Sequence, residues 1–267
     1  MRSNYDKIIS KLFFAKYRDG DNEIDFTKED LEKLNAAYNI RNLPDVLYHF
    51  RSRYPLPKKI RDSAKNNCEW IIRATGEYGG TAHYKFIQFP ILDLTPNKSL
   101  IETKILNSTP GVIDKYALNN EQALLAKIRY NRIIDIFTGA TCYSLQNHLR
   151  TKIKDIGQVE IDEVYVGIDQ RGAHYIIPVE AKGEKDKIGR IQIEQYFAFG
   201  ETKFPNMICR PLAAQFLKDD VIVIFSFTKH EDQIRIIFEK HYLLVSKNEL
   251  SLKEIAEYSR QSLSSIL

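Results

Sequence analysis

The sequence predicts an α+β protein in two parts: a small helical region closed by a β-hairpin, then an α/β core on a mixed central sheet. Three patterns predict it. Short amphipathic helices fill residues 5–54 and a hairpin follows them; a long amphipathic helix covers 119–138; beyond it, two apolar strands flank a tight turn and lead into another helix. At 267 residues the chain makes one large domain or two small ones, taking ~100–200 residues per domain. A boundary is expected near 110, giving regions 1–110 and 111–267.

The first helix is read at 5–17, where Ile8, Ile9, Leu12 and Phe13 recur at helical spacing before Asp19-Gly20-Asp21 ends it. Thr27 and Asp30 form a capping-box variant that opens the next helix, with Leu31, Leu34 and Ala37 on one face, ending near Asn39. Asn42 is a second N-cap candidate, with Pro44 in the first turn and Pro55 and Pro57 as stops. Two β-rich runs, 69–75 and 81–89, then surround the turn Glu77-Tyr78-Gly79-Gly80. Helices followed by a basic helix and a hairpin is the order of a winged helix, whose last helix enters the major groove. Residues 90–117 read as a connector with one short strand. The 119–138 helix buries Leu124, Leu125, Ile128, Ile133, Ile136 and Phe137 and stops at Gly139. A capping box at Ser251 and Glu254 opens a C-terminal packing helix.

Composition bounds the function. The chain is 43% hydrophobic, 28% charged and 11% aromatic, which excludes disorder, collagen-like repeats and a disulfide scaffold. Cys68, Cys142 and Cys209 are scattered and include no CxxC pair, which points to a reducing compartment and away from a cysteine zinc site. No apolar run reaches the ~18 residues of a membrane span, and none makes a signal segment, so a cytoplasmic protein is expected. The histidines show no zinc-binding spacing, and neither a phosphate-cradling GxxxxGK[ST] loop nor a GxSxG elbow is present.

The net charge of +4 lies unevenly: residues 1–110 hold 18 Lys/Arg against 14 Asp/Glu, and residues 111–267 hold 21 of each. Residues 41–73 are the basic centre, with Tyr48, His49, Tyr54 and Trp70 among the cations, a composition suited to a phosphate backbone or to a solvated helical face. Tyr48, Arg51, Arg53 and Arg73 are the candidates there for contact with DNA. Gln146 and Asn147 are further candidates, because carboxamides read base edges.

The chemistry concentrates in 158–196. One strand, QVEIDEVYVGID, passes through the turn Gln170-Arg171-Gly172 to a second, AHYIIPVEAK. Side chains alternate across a strand, so Glu180 and Lys182 share a face and a hairpin brings Asp162 near them. Charge inside apolar strands is costly unless paired or bound to metal. Two convergent carboxylates suit Mg²⁺, and a neighbouring lysine offsets developing negative charge: equipment for metal-assisted hydrolysis of a phosphodiester.

Asp162 followed by Glu180-Ala181-Lys182 at the end of the next strand resembles the D…(D/E)xK signature of the PD-(D/E)xK nuclease superfamily, to which most type II restriction endonucleases belong. The resemblance covers roughly 118–228. It implies a restriction-endonuclease-like core of helix 119–138, strands within 141–153, 158–167 and 174–182, helix 187–199 and strand 221–227. It implies further that Asp162 and Glu180 hold Mg²⁺, that Lys182 positions the attacking water and that Glu121 joins the metal site. Gln192 and Tyr196 match a Gln-x-x-x-Tyr pair that some members carry. The family's proline before the aspartate is absent here, since Ile161 precedes Asp162. Glu160 therefore competes for the first ligand position, and Glu163 should face away. The function this resemblance implies is Mg²⁺-dependent cleavage of double-stranded DNA by a homodimer. The other readings are a DNA-binding regulator with a non-catalytic core and a structure-directed repair nuclease.

Overall fold

The computed structural model describes residues 2–117, 121–184, 186 and 188–264, apart from the side chains of residues 2, 3, 52, 53, 219, 263 and 264. The fold is mixed α/β in two units. One comprises Met1–Asp93, Arg150–Glu160 and Gly189–Phe199; the other comprises Leu94–Leu149, Ile161–Ile188 and Gly200–Leu267. The position expected for a boundary, near 110, lies inside the second unit, and the first unit takes in two later segments.

The first unit runs α1 (Arg2–Lys16), β1 (Glu23–Thr27), α2 (Lys28–Asn35), α3 (Leu43–Tyr48) continued by a π-helical turn over His49–Arg53, α4 (Lys58–Asp62), β2 (Cys68–Tyr78) and β3 (Thr81–Pro90). Its antiparallel sheet has the order β1-β3-β2. The capping box forms as read: Thr27 Oγ1 accepts from Asp30 N–H at 3.2 Å, and Asp30 Oδ2 accepts from Thr27 N–H at 3.0 Å. Asn42 occupies the N-cap position of α3 but makes no side-chain cap bond. Ile8, Phe13, Leu31, Val46, Ile60, Trp70, Ile72 and Phe86 are buried together between the helices and the sheet, each worth ~1.5–3 kcal/mol of transfer free energy. The opposite face of the sheet packs Ile71 and Phe89 on Ile191. Gly79 (φ 59°) and Gly80 (φ 79°) are consecutive left-handed residues, the backbone a two-residue hairpin turn needs. The first strand therefore runs on to Tyr78, three residues past the expected 69–75, while the second starts at Thr81 as read.

The second unit contains β4 (Thr103–Leu106), α5 (Gly111–Tyr116), α6 (Glu121–Tyr130), α7 (Ile133–Thr138), β5 (Thr141–Ile153), β6 (Gly157–Ile168), β7 (His174–Lys182), α8 (Arg190–Lys203), β8 (Ile208–Cys209), β9 (Leu212–Phe216), β10 (Val221–His230), β11 (Gln233–Val245) and α9 (Leu252–Ser264). Parts of β5, β6 and α8 belong to the first unit. The sheet order is β4-β11-β10-β9-β7-β6-β5, with β8 beside β7. It is mixed: β6/β7, β9/β10 and β10/β11 are antiparallel, while β7/β9, β7/β8 and β4/β11 are parallel. A parallel β7/β9 pair needs a crossover, and α8 lies within it.

Leu124, Leu125, Ile128, Ile133, Ile134 and Phe137 of α6 and α7 pack on Tyr165, Ile177, Val179, Ala181, Leu212 and Ile222 of the sheet. The single helix expected over 119–138 is two helices, and its residues 119 and 120 lie outside the described residues. Arg132 is left-handed (φ 52°). The Asn131 carboxamide draws the chain out of helix there, accepting from Ser108 N–H at 2.7 Å and donating to Lys127 O and to Thr109 Oγ1. The break turns α7, so Ile136 is 51% exposed and Ile134 takes its expected place in the core. The connector 90–117 holds α5 as well as one short strand. No helix among the described residues is long and apolar enough to cross a membrane.

Candidate active site

Strands β6 and β7 pair antiparallel from Ile168↔His174 to Glu163↔Val179. One further step along that register brings Asp162 beside Glu180. Asp162 Oδ2 accepts from the Ala181 N–H at 2.8 Å, which fastens the first carboxylate to the middle of the Glu180-Ala181-Lys182 triplet. Glu180 is 2% exposed, and its Oε1 lies 2.7 Å from Lys182 Nζ. Lys182 Nζ also donates to Glu121 Oε1 at 3.1 Å, on the first residue of α6. Asp162, Glu180, Lys182 and Glu121 thus form one linked cluster.

Strand alternation explains the grouping of Asp162, Glu180 and Lys182. Ile177, Val179 and Ala181 face α6 and α7, so Glu180 and Lys182 take the other face of β7. Burial raises the Asp162 pKa above the ordinary carboxylate value, against the Ala181 N–H and Lys182, which lower it. Burial alone would weaken the charge on Lys182. The Glu180 carboxylate overrides it, by charge and hydrogen bond, with Glu121 and Asp162 adding to it, and Lys182 is held above the ordinary lysine range. Such a lysine is a fixed cation and hydrogen-bond donor.

Among the described residues, no group of three or more His, Cys, Asp or Glu side chains is placed to hold a metal ion. The donors present are the two carboxylates of Asp162 and Glu180. Mg²⁺ is commonly bound by one or two carboxylates, with waters and phosphate oxygens completing six positions, so the donor chemistry fits that ion. Glu160 is spent elsewhere: its Oε1 accepts from Gln158 Nε2 at 2.8 Å and pairs with Arg150 at 3.4 Å. Asp162 therefore has the better claim to the first ligand position. Glu163 faces the helices, fully buried, and its Oε1 accepts from Arg129 and Ser144.

Gln192 and Tyr196 lie in the first unit. Gln192 Oε1 accepts from Gly189 N–H at 3.0 Å, and Tyr196 is fully buried.

The candidates for DNA contact divide. Tyr48 ends α3 half-buried. Arg51 turns inward: Nη2 donates to Ile156 O at 3.2 Å, Nε is buried, and burial lowers its pKa. Arg73 forks onto Glu194 at 2.9 and 3.3 Å, beside Arg190, which takes the same carboxylate at 3.0 Å. Both guanidinium groups stack on Phe89. Arg51 and Arg73 are therefore engaged inside the first unit, not presented on a free surface. The side chain of Arg53 lies outside the described residues. Gln146 and Asn147 are exposed on β5, which ends the sheet order.

Two arrangements were missed in the sequence. Arg129 and Ser144 hold Glu163. Buried Gln215, opposite Lys182 on β9, directs Nε2 at the carbonyls of Gly183, Glu184 and Asp186 at 3.3, 3.4 and 3.2 Å, gathering the loop after Lys182. A lone carboxamide inside the apolar run LAAQF was the available signal for Gln215.

No protein-family model, curated protein or solved structure matches the chain. The reading of the site accordingly rests on its own geometry and chemistry.

Proposed function

We propose that this protein is a Mg²⁺-dependent endonuclease that hydrolyses phosphodiester bonds of double-stranded DNA, of the type II restriction kind, acting in the cytoplasm as a homodimer. The observation that carries the proposal is the cluster of Asp162, Glu180 and Lys182 on one hairpin, with Glu121 closing on the lysine. The strand expected to close the core at 221–227 is β10, which pairs antiparallel with β9 and not with β7; the strands parallel to β7 after α8 are β8 and β9, and with β9 in that place the order α6, α7, β5, β6, β7, α8, β8, β9 accords with a PD-(D/E)xK-like core. In the first unit, the succession α1-β1-α2-α3-α4-β2-β3 with sheet order β1-β3-β2 accords with a winged helix.

Asp162 and Glu180 would hold Mg²⁺, which when bound lowers the pKa of a water and offsets charge on the phosphate. Asp162 is oriented for this by the Ala181 N–H. Lys182, kept cationic by Glu180 and Glu121, donates a hydrogen bond to the attacking water or to a non-bridging phosphate oxygen and stabilises the charge that develops there. A homodimer places one such site on each strand of a palindrome.

The test is incubation of unmethylated plasmid DNA with wild type and with Lys182→Ala, each with Mg²⁺ and with EDTA. Discrete fragments from wild type with Mg²⁺ alone support the proposal. Intact plasmid in every lane, with duplex DNA still retarded in a gel, replaces it with the DNA-binding regulator.

A further inference from the structure

The eight-stranded sheet ends in β4 on one side and in β5 on the other, and the two edges differ. β4 is four residues long, and its Lys104 N–H donates to the Tyr258 hydroxyl of α9 at 3.1 Å, with Lys104 Nζ on Glu254 at 2.8 Å. A short strand covered by a helix is a protected edge. β5 is 13 residues long, and among the described residues no strand pairs with its outer side.

The first seven residues of β5, 141–147, form that open edge. They include no charged residue and no proline, the usual devices against edge pairing. His148 is left-handed (φ 47°) and closes the regular stretch. All seven except Cys142 are exposed. Cys142 packs in the core with α6 and α7, and Ser144 Oγ donates to Glu163 on that same face, so Tyr143 and Leu145 point to the other one. They are 60% and 55% exposed. Their face is the one that carries Asp162, Glu180 and Lys182.

We propose that 141–147 is the surface through which two copies of this chain join, edge to edge and antiparallel about Ser144. The amides and carbonyls of an open strand edge complement those of an identical edge turned through a two-fold rotation. Ser144 is the midpoint of the stretch, so this pairing sets Tyr143 of each copy opposite Leu145 of the other. An aromatic side chain beside an aliphatic one is a favourable cross-strand pair, and no like charges meet along the stretch. The axis relating antiparallel neighbours stands perpendicular to the sheet. The face bearing Asp162, Glu180 and Lys182 therefore turns to the same side in both copies, the condition for two sites to attack one duplex. The proposal names the interface of the homodimer in the nuclease reading above, and it rests on that reading for what the two sites do.

Sedimentation velocity of the full chain without DNA, over a concentration series, reads the dimer directly. Wild type is expected to dimerise. Tyr143→Lys combined with Leu145→Lys sets like charges opposite each other; Tyr143→Lys combined with Leu145→Glu sets opposite charges there. The first is expected to have a dissociation constant about tenfold above the second. Both lose the same two apolar side chains, so the sign of the charge at 145 is what separates them. Thermal unfolding checks that both fold. Should either fail to, amide hydrogen exchange of the wild type decides: protection over 141–147 is expected to rise with protein concentration. A monomeric wild type, equal dissociation constants for the two variants, or protection indifferent to concentration overturns the proposal. Plasmid digestion with Mg²⁺ runs alongside. A dimer that meets these expectations and leaves plasmid uncut keeps the interface and overturns the nuclease reading alone.

Discussion

Lys182 Nζ donates to Glu121 Oε1 at 3.1 Å across 61 residues of sequence, tying the last residue of β7 to the first of α6. Glu121 is 41% exposed, and an exposed ion pair contributes ~0–1 kcal/mol to stability. Its consequence lies in where it holds the lysine. Glu121→Gln is expected to unfold in urea at nearly the wild-type midpoint and to cleave plasmid DNA about tenfold more slowly, a modest misplacement effect. A variant that loses stability but cuts at the wild-type rate would assign the pair to the fold alone.

Asp162 trades stability for its position. Burial, with Glu121 added, holds its pKa above the ordinary value of 3.8 against the Ala181 N–H and Lys182. A group with a raised folded pKa binds its proton more tightly in the folded state. The stability so gained is complete below the unfolded pKa and is lost as pH rises through the folded one. In EDTA at pH 7 the charged Asp162 is therefore a net cost. Asp162→Asn keeps an acceptor for the Ala181 N–H and cannot ionise. Thermal unfolding in EDTA should show it more stable than wild type at pH 7, with the gap closing toward about pH 4. Cleavage should fall at least about 100-fold.

The basic N-terminal region separates by burial. Arg73 shares the Glu194 carboxylate with Arg190 and stacks on Phe89. Lys58 and Lys59 are exposed on α4, which is anchored by buried Ile60. Arg73→Ala is expected to cost about 1–3 kcal/mol in urea unfolding and to leave the salt dependence of DNA binding unchanged. Lys58→Ala with Lys59→Ala should keep stability within about 0.5 kcal/mol. If both lysines contact phosphates, the slope of log K against log salt becomes shallower by about 1.8, at ~0.9 per phosphate contact. Fluorescence anisotropy across a salt series measures it. A shallower slope for Arg73→Ala would place that guanidinium on DNA after all.

The same divide marks what was legible in the sequence. Strand β7 spans the residues read for it, 174–182, because YIIPV is a continuous apolar run ending in charge. Asp162, Glu180 and Lys182 could be grouped because alternation along two adjacent strands is local information. The break at Asn131 was hidden: apolar spacing runs on through IRYNRIIDIF, and the residues that pull Asn131 out of helix are Ser108 and Thr109. Arg51 and Arg73 read as surface cations because their partners, Ile156 and Glu194, are 105 and 121 residues away. Charge in a sequence shows that a partner is needed and leaves open whether the chain supplies it.

The Glu163–Arg129 pair gives the sharpest test of the core. Removing one member of a buried pair leaves the other uncompensated, at about 3–5 kcal/mol. The Arg129 side chain is 39% exposed and lets water reach the site, which places Arg129→Ala near the lower end. Replacing both with apolar residues removes the buried charge and its partner together, and such exchanges are often neutral or stabilising. Glu163→Met combined with Arg129→Met is therefore expected to recover most of the stability that Arg129→Ala loses, as measured by urea midpoint with the slope unchanged. A double variant no more stable than Arg129→Ala would show instead that two apolar side chains cannot fill the space the ion pair occupies.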